Sequence, residues 1–123
     1  MDFKLAWKGN SLSKNIFAFF ADFPFGTNKT SEKLRLLVGL TLNDENVLNL
    51  VFLGNSRYAL QVLDETKTES KPVYKHLEML ATLDAKFYVE DGVNFSIINN
   101  FKYESIQASE VNNLLDKADV VIH

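Results

Sequence analysis

Cysteine is missing altogether from the 123 residues. Its absence excludes disulfides, thiolate nucleophiles, persulfide carriers and cysteine-ligated zinc. Histidine is nearly absent as well, with only His76 and His123. His76 falls in a helical stretch with no His or Asp at helical spacing to share a metal, and His123 is the last residue given, so both read as solvated. Glycine is scarce at five residues. A phosphate-cradling loop needs several, and Pro24-Phe25-Gly26-Thr27-Asn28-Lys29-Thr30 has one, matching neither the Walker pattern nor the dinucleotide fingerprint. Backbone amides at a helix start are the anion-binding feature left there. Positive charge is not in excess: thirteen Lys and Arg face sixteen Asp and Glu, a net charge of −3. Nucleic-acid binding leans on clustered basic residues, so no direct contact with RNA or DNA is expected. No apolar run is long enough to span a bilayer, and Met1 to Leu12 has no signal-peptide core, so no membrane partner and a cytoplasmic location are expected.

What is present describes one globular domain. The length fits a single core, and 46% hydrophobic with 12% aromatic residues argues against disorder. Residues 1–12 stand apart: Phe3, Leu5 and Trp7 alternate with Asp2, Lys4 and Lys8, which suits an extra strand or an N-terminal extension. Residues 13–123 form the domain proper. Ile16-Phe17-Ala18-Phe19-Phe20 has no polar interruption, the mark of a strand covered on both faces. The loop Asp22 to Asn28 follows, broken by Pro24 and Gly26, and a helix runs from about Ser31 to Asn43. Leu34, Leu37, Val38 and Thr41 form one face of that helix, but Leu36, Leu40 and Leu42 spread around its side. Such a helix needs a second cover, either another helix of the same domain or a neighbouring subunit.

Val47 to Leu53 is a second apolar strand, followed by Gly54-Asn55-Ser56 as a cap for a helix over Arg57 to Leu63. Asp64 to Pro72 reads as an exposed loop, Val73 to Leu83 as a helix, and Lys86 to Val89 as a third strand ending at Glu90-Asp91-Gly92. Val93 to Asn100 fits a short helix or a buried loop. Phe101 to Gln107 reads as a fourth strand, Ser109 as the cap of a helix through Val111, Leu114, Leu115 and Ala118, and Asp119 to His123 as a terminal strand. Alternation of this kind predicts an α/β fold, a flavodoxin-like three-layer sandwich with a mostly parallel five-stranded sheet and helices on both faces.

Few residues carry chemistry. In open α/β sheets the ligand crevice lies outside the carboxyl ends of the strands. The residues predicted to line it are Phe25, Gly26 and Thr27 after the first strand, Asn55 after the second, and Glu90 and Asp91 after the third. Glu90 and Asp91 suit either an acid–base pair or polar residues opening a turn. A phospho-receiver domain also puts an Asp at the end of its third strand, but needs an acidic pair after its first. Here Asp22 is followed by Phe23, which argues against that reading. No catalytic residue, metal ligand or cofactor is assigned.

Two segments carry a resemblance. Phe17-Ala18-Phe19-Phe20 leads into Pro24-Phe25-Gly26-Thr27, and the tail runs Val111-Asn112-Asn113-Leu114-Leu115-Asp116-Lys117-Ala118-Asp119-Val120-Val121-Ile122-His123. Both are similar to the DsrE/DsrF-like family, most of all its DsrF/TusC-like branch, with its Pro-x-Gly-Thr loop and Asp-Val-Ile-Leu-like last strand. The resemblance covers about residues 14 to 123. It implies a trimer or hexamer, homo- or hetero-oligomeric, with DsrE/DsrH-like subunits that relay sulfur for tRNA thiolation or sulfur oxidation. The carrier cysteine of DsrE-type subunits would fall around Val89-Glu90-Asp91, where this chain has none. The expectation is therefore a non-catalytic subunit, with Leu36, Leu40 and Leu42 as subunit contacts. The alternative is a small-ligand-binding or enzymatic domain using the crevice.

Overall fold

An apolar strand with no polar face needs cover on both sides. In the computed structural model, which describes residues 14–61, 71–97 and 101–123, β1 (Lys14–Phe20) and β2 (Asn46–Phe52) lie at the interior of a sheet. The remaining elements are α1 (Lys29–Leu40), a 3-10 helix (Gly54–Leu60), α2 (Lys71–Thr82), β3 (Lys86–Glu90), β4 (Glu104–Ile106), a 3-10 turn (Ala108–Glu110), α3 (Val111–Lys117) and β5 (Val120–Ile122). The five strands form one parallel sheet in the order β4-β3-β2-β1-β5. Helices cover both faces, the predicted α/β sandwich; the strand order differs from the 2-1-3-4-5 of flavodoxin itself.

Handedness explains where the helices lie. From β1 to β4 the chain steps in one direction across the sheet, and right-handed crossovers keep those connections on one face. The return from β4 to β5 runs the opposite way, so its right-handed crossover, α3, must lie on the other face. The cores follow. Ile16, Ala18 and Phe20 of β1, Leu48, Leu50 and Phe52 of β2, and Phe87 and Val89 of β3 pack under α1 and α2. The alternate residues Phe17 and Val51 pack with Ile106 and with Leu114 of α3. Along α1, Leu34 and Leu37 are buried, Val38, Leu40 and Thr41 half-buried, and Leu36 and Leu42 point outward.

Several boundaries differ from the sequence pattern. The segment after β2 is a 3-10 helix over Gly54–Leu60 rather than an α-helix beginning at Arg57, and Ser56 lies inside it. Its hydroxyl donates to Leu53 O at 2.7 Å and Phe20 O at 2.8 Å, binding the turn back to the strand ends. α2 begins at Lys71, so Pro72 belongs to its first turn, where a missing N–H costs nothing. It ends in Asp84 at φ 66°, a left-handed stop. The 3-10 turn leading into α3 is capped by Gln107 and Glu110, not by Ser109, with Gln107 N donating to Glu110 Oε1 at 2.8 Å. Residues 101–103 precede β4 without joining it, and residues 91–97 are irregular, with one antiparallel bridge from Ile97 to Gln61. The N-terminal extension 1–12, the loop 64–70 and residues 98–100 lie outside the described residues.

Candidate functional site

The carboxyl edge of the sheet is where the predicted crevice residues meet. Parallel pairing of β1 with β2 and of β2 with β3 brings three loops to one edge. Leu53 N donates to Phe20 O at 2.8 Å, continuing the β1–β2 ladder into the loops. Just beyond, Gly54 turns at φ 52°, a left-handed conformation that suits glycine. Its N–H donates to Glu90 Oε1 at 2.9 Å. Arg57 closes the brace: Nε donates to Gly54 O at 2.8 Å, and Nη1 donates to Asp91 O at 2.8 Å and Glu90 O at 3.2 Å. Asp91 N donates to Ile106 O at 2.8 Å, tying in β4.

This brace decides what Glu90 and Asp91 do. The half-buried Glu90 carboxylate is engaged by a backbone N–H of the neighbouring loop. Asp91 holds Arg57 through its main-chain carbonyl and leaves its side chain exposed. An acid–base pair needs two carboxyl groups converging on one reacting centre. Here one is committed to structure and the other faces solvent. In the first loop, Pro24 is buried, Phe25 packs against the α1–α2 core, and Gly26 and Thr27 are exposed. Thr27 Oγ1 accepts from Lys29 N at 3.4 Å as α1 begins. Asn55 is exposed on the 3-10 helix.

Three features of this edge have no counterpart in the sequence reading. The first is Arg57, whose role depends on a loop more than thirty residues away. The second is Lys33, whose Nζ donates to Phe19 O and lies 4.4 Å above the Phe20 ring. Successive carbonyls of a strand point to opposite sides; Phe20 O faces β2, so Phe19 O faces β5, which ends at Ile122, the partner of Ala18. Lys33 therefore satisfies a carbonyl where the sheet runs out. Burial pushes its pKa down, partly offset by Asp22. The third is a row of rings: Phe25 meets Phe23 edge-on at 5.6 Å, Phe23 meets Tyr58 at 5.7 Å, and Tyr58 stacks on Phe95 at 5.2 Å. Phe23 is 52% exposed and Tyr58 36%. Phe23 and Phe25 flank Pro24 in the first loop, but nothing in the sequence joins them to Tyr58 or Phe95.

Away from this edge, His76 on α2 departs from its expected solvation: it is half-buried, and its Nδ1 is buried without a hydrogen-bond partner among the described residues. His123 is exposed. Among the described residues no group of three or more His, Asp and Glu is placed to hold a metal ion, and no helix is long and apolar enough to cross a membrane. Of the three leucines read as subunit contacts, Leu42 is 90% exposed and Leu36 53%, while Leu40 packs against the core.

The architecture has a counterpart of known structure. The ychN protein from E. coli superposes with a TM-score of 0.73, over 89% of this chain and 97% of that one, at 19% sequence identity. The chain has the ychN fold. No protein-family model and no curated protein matches its sequence. Within the ychN fold, this chain presents at its carboxyl edge a cross-braced set of loops with an aromatic surface, and no thiol.

Proposed function

We propose that the chain is a non-catalytic, cysteine-free subunit of the DsrE/DsrF type, closest to the DsrF/TusC-like branch, in a cytoplasmic sulfur-relay oligomer. The fold shared with the ychN protein, together with the two segments that resemble the DsrE/DsrF-like family, supports this reading. The observation that carries the non-catalytic reading lies after β3. Around Val89-Glu90-Asp91, where the resemblance implies a carrier cysteine, the chain instead builds the brace among Glu90, Gly54 and Arg57. A residue whose polar groups are committed to holding two loops together is a scaffold, not a carrier. Its sulfur-bearing partners would be DsrE- and DsrH-like subunits.

Leu36 on α1 and Leu42 in the turn that follows it supply the contact. Leu36 and Leu42 point outward although α1 already has a full inner face. Exposed apolar groups of this kind mark association surfaces when they sit together. Light scattering of the purified chain, alone and mixed with cysteine-bearing DsrE- and DsrH-type proteins, tests this. Trimers or hexamers that dissociate in a Leu36→Glu/Leu42→Glu variant are expected. A chain that stays monomeric in every mixture sinks the proposal.

A further inference from the structure

The aromatic row at the carboxyl edge is not needed to close the core. Phe25 packs inward, but Phe23 and Tyr58 leave much of their ring surface in water, and Phe95 stacks on Tyr58 rather than joining the core. Exposed rings linked across three segments make a rigid apolar surface, and aromatic residues dominate the energetics of binding sites.

Charge decides what such a surface accepts. The cations of this edge are turned inward onto main-chain carbonyls: Arg57 onto Gly54, Glu90 and Asp91, and Lys33 onto Phe19. Glu90 is likewise occupied by Gly54 N. That leaves Asp22, next to Phe23, and Asp91, four residues before Phe95. Both are exposed, and among the described residues neither carboxylate makes a hydrogen bond or a salt bridge, although Asp22 feels the charge of Lys33. Lys29, at the start of α1, is the exposed cation beside the first loop. Exposed carboxylates beside open ring faces repel phosphates and attract cations, and a guanidinium can stack on a ring while pairing with a carboxylate.

We infer that the Phe23–Tyr58–Phe95 surface, with Asp22 and Asp91, docks an arginine-bearing segment of a partner protein. The arginine stacks on Phe23 or Tyr58 and pairs with a flanking carboxylate. This stands on the edge geometry and charge alone, independently of the sulfur-relay reading and of the contact at Leu36 and Leu42.

The test is an NMR titration of the isotope-labelled full chain with two probes of equal length, Ac-Gly-Arg-Gly-Arg-Gly-NH2 and its glutamate counterpart. The arginine peptide is expected to shift amides of Asp22 to Phe25, Tyr58 and Gly92 to Phe95, saturably, and less as salt rises. The glutamate peptide is expected to leave them unmoved. Phe23→Ala should weaken binding by about 3- to 30-fold, the range of a cation–ring contact. Asp22→Asn/Asp91→Asn, which leaves the rings in place, should weaken it and flatten the salt dependence. Leu36→Glu/Leu42→Glu should leave it unchanged, which separates this result from failure of the oligomer proposal. Absence of shifts at this edge, equal shifts with the glutamate peptide, or unchanged affinity in the Asp22→Asn/Asp91→Asn variant overturns the inference.

Discussion

On one face of the sheet, alternate residues of β1, β2 and β3 disappear under two helices of twelve residues each; on the other, the same strands are covered by a helix of seven. Neighbours on one strand show the difference. Phe20 and Val89 are 4% and 2% exposed under α1 and α2, whereas Phe19 and Tyr88 remain half-buried at the margins of α3. The asymmetry follows from topology. Three successive steps in one direction send their connections to one face, and the single return step sends α3 to the other. Depth of cover is thus set by how often the chain crosses a face, even though β1 is apolar on both sides and β2 carries only Asn49 as a polar residue toward α3.

The sharpest way to break this comparison is to cut equally into both cores. Leu50→Ala, in a fully buried site under α1 and α2, is expected to cost about 4–5 kcal/mol, the upper end of its class. Leu114→Ala on the α3 face should fall near the low end of its class, about 2 kcal/mol, because a seven-residue helix at the margin can settle into the gap. Urea denaturation measures both; equal losses would mean that the thin face is as tightly packed as the thick one.

A smaller effect is expected at the carboxyl edge. Glu90→Ala strips Gly54 N of its acceptor and should cost about 1–3 kcal/mol, with Glu90→Gln recovering most of it through its amide oxygen. If Glu90→Gln loses as much as Glu90→Ala, the carboxylate charge rather than the hydrogen bond holds the loops.

The faces should also respond to alkali with opposite signs. Lys33, under the α1–α2 side, has its pKa pushed down by burial. Between that value and the ordinary one the unfolded chain holds more protons, so this group makes stability rise with pH. Tyr88, on the α3 side, has its pKa pushed up by burial and by Glu104. Above its ordinary value of about 10 the folded chain holds more protons, so this group makes stability fall as pH rises. Denaturation midpoints followed from neutral to strongly alkaline pH should therefore fall more steeply in Lys33→Met and less steeply in Tyr88→Phe than in the parent. Parallel curves for all three would remove both assignments. The least effect on stability is expected from Leu36→Glu, within about 0.5 kcal/mol in the isolated chain, because the side chain points into solvent.

Much of the architecture was legible because it rests on local pattern. The unbroken run Ile16 to Phe20 and the run Val47 to Leu53, interrupted by Asn49 alone, read as doubly covered strands, and the Leu34–Leu37 stripe as the inner face of α1. The position of β5 beside β1 was not legible, since strand order depends on which distant edges meet. The 3-10 helix after β2 escaped for a related reason: its geometry is set by Ser56 and Arg57 reaching carbonyls on other elements. At the candidate site, residue type placed Glu90 and Asp91 at the right edge, but their hydrogen bonds come from Gly54 and Arg57, over thirty positions earlier. The aromatic row was hidden likewise, because Phe23, Tyr58 and Phe95 belong to three segments far apart in sequence.

The place of β5 also has a bearing on how the chain comes off the ribosome. Asn15 exchanges hydrogen bonds with Asp119, 104 residues later, donating to Oδ2 at 2.7 Å and accepting from its N–H at 2.8 Å. During synthesis β1 emerges first and can pair with β2 on one side early, but its other edge stays open until α3 and β5 have been made. Pairings so distant in sequence are slow to form, and an unpaired strand edge invites the wrong neighbour in the meantime. The hazard is greatest for a transcript that stops short of Asp119, which would release a sheet with the core strand β1 at the rim.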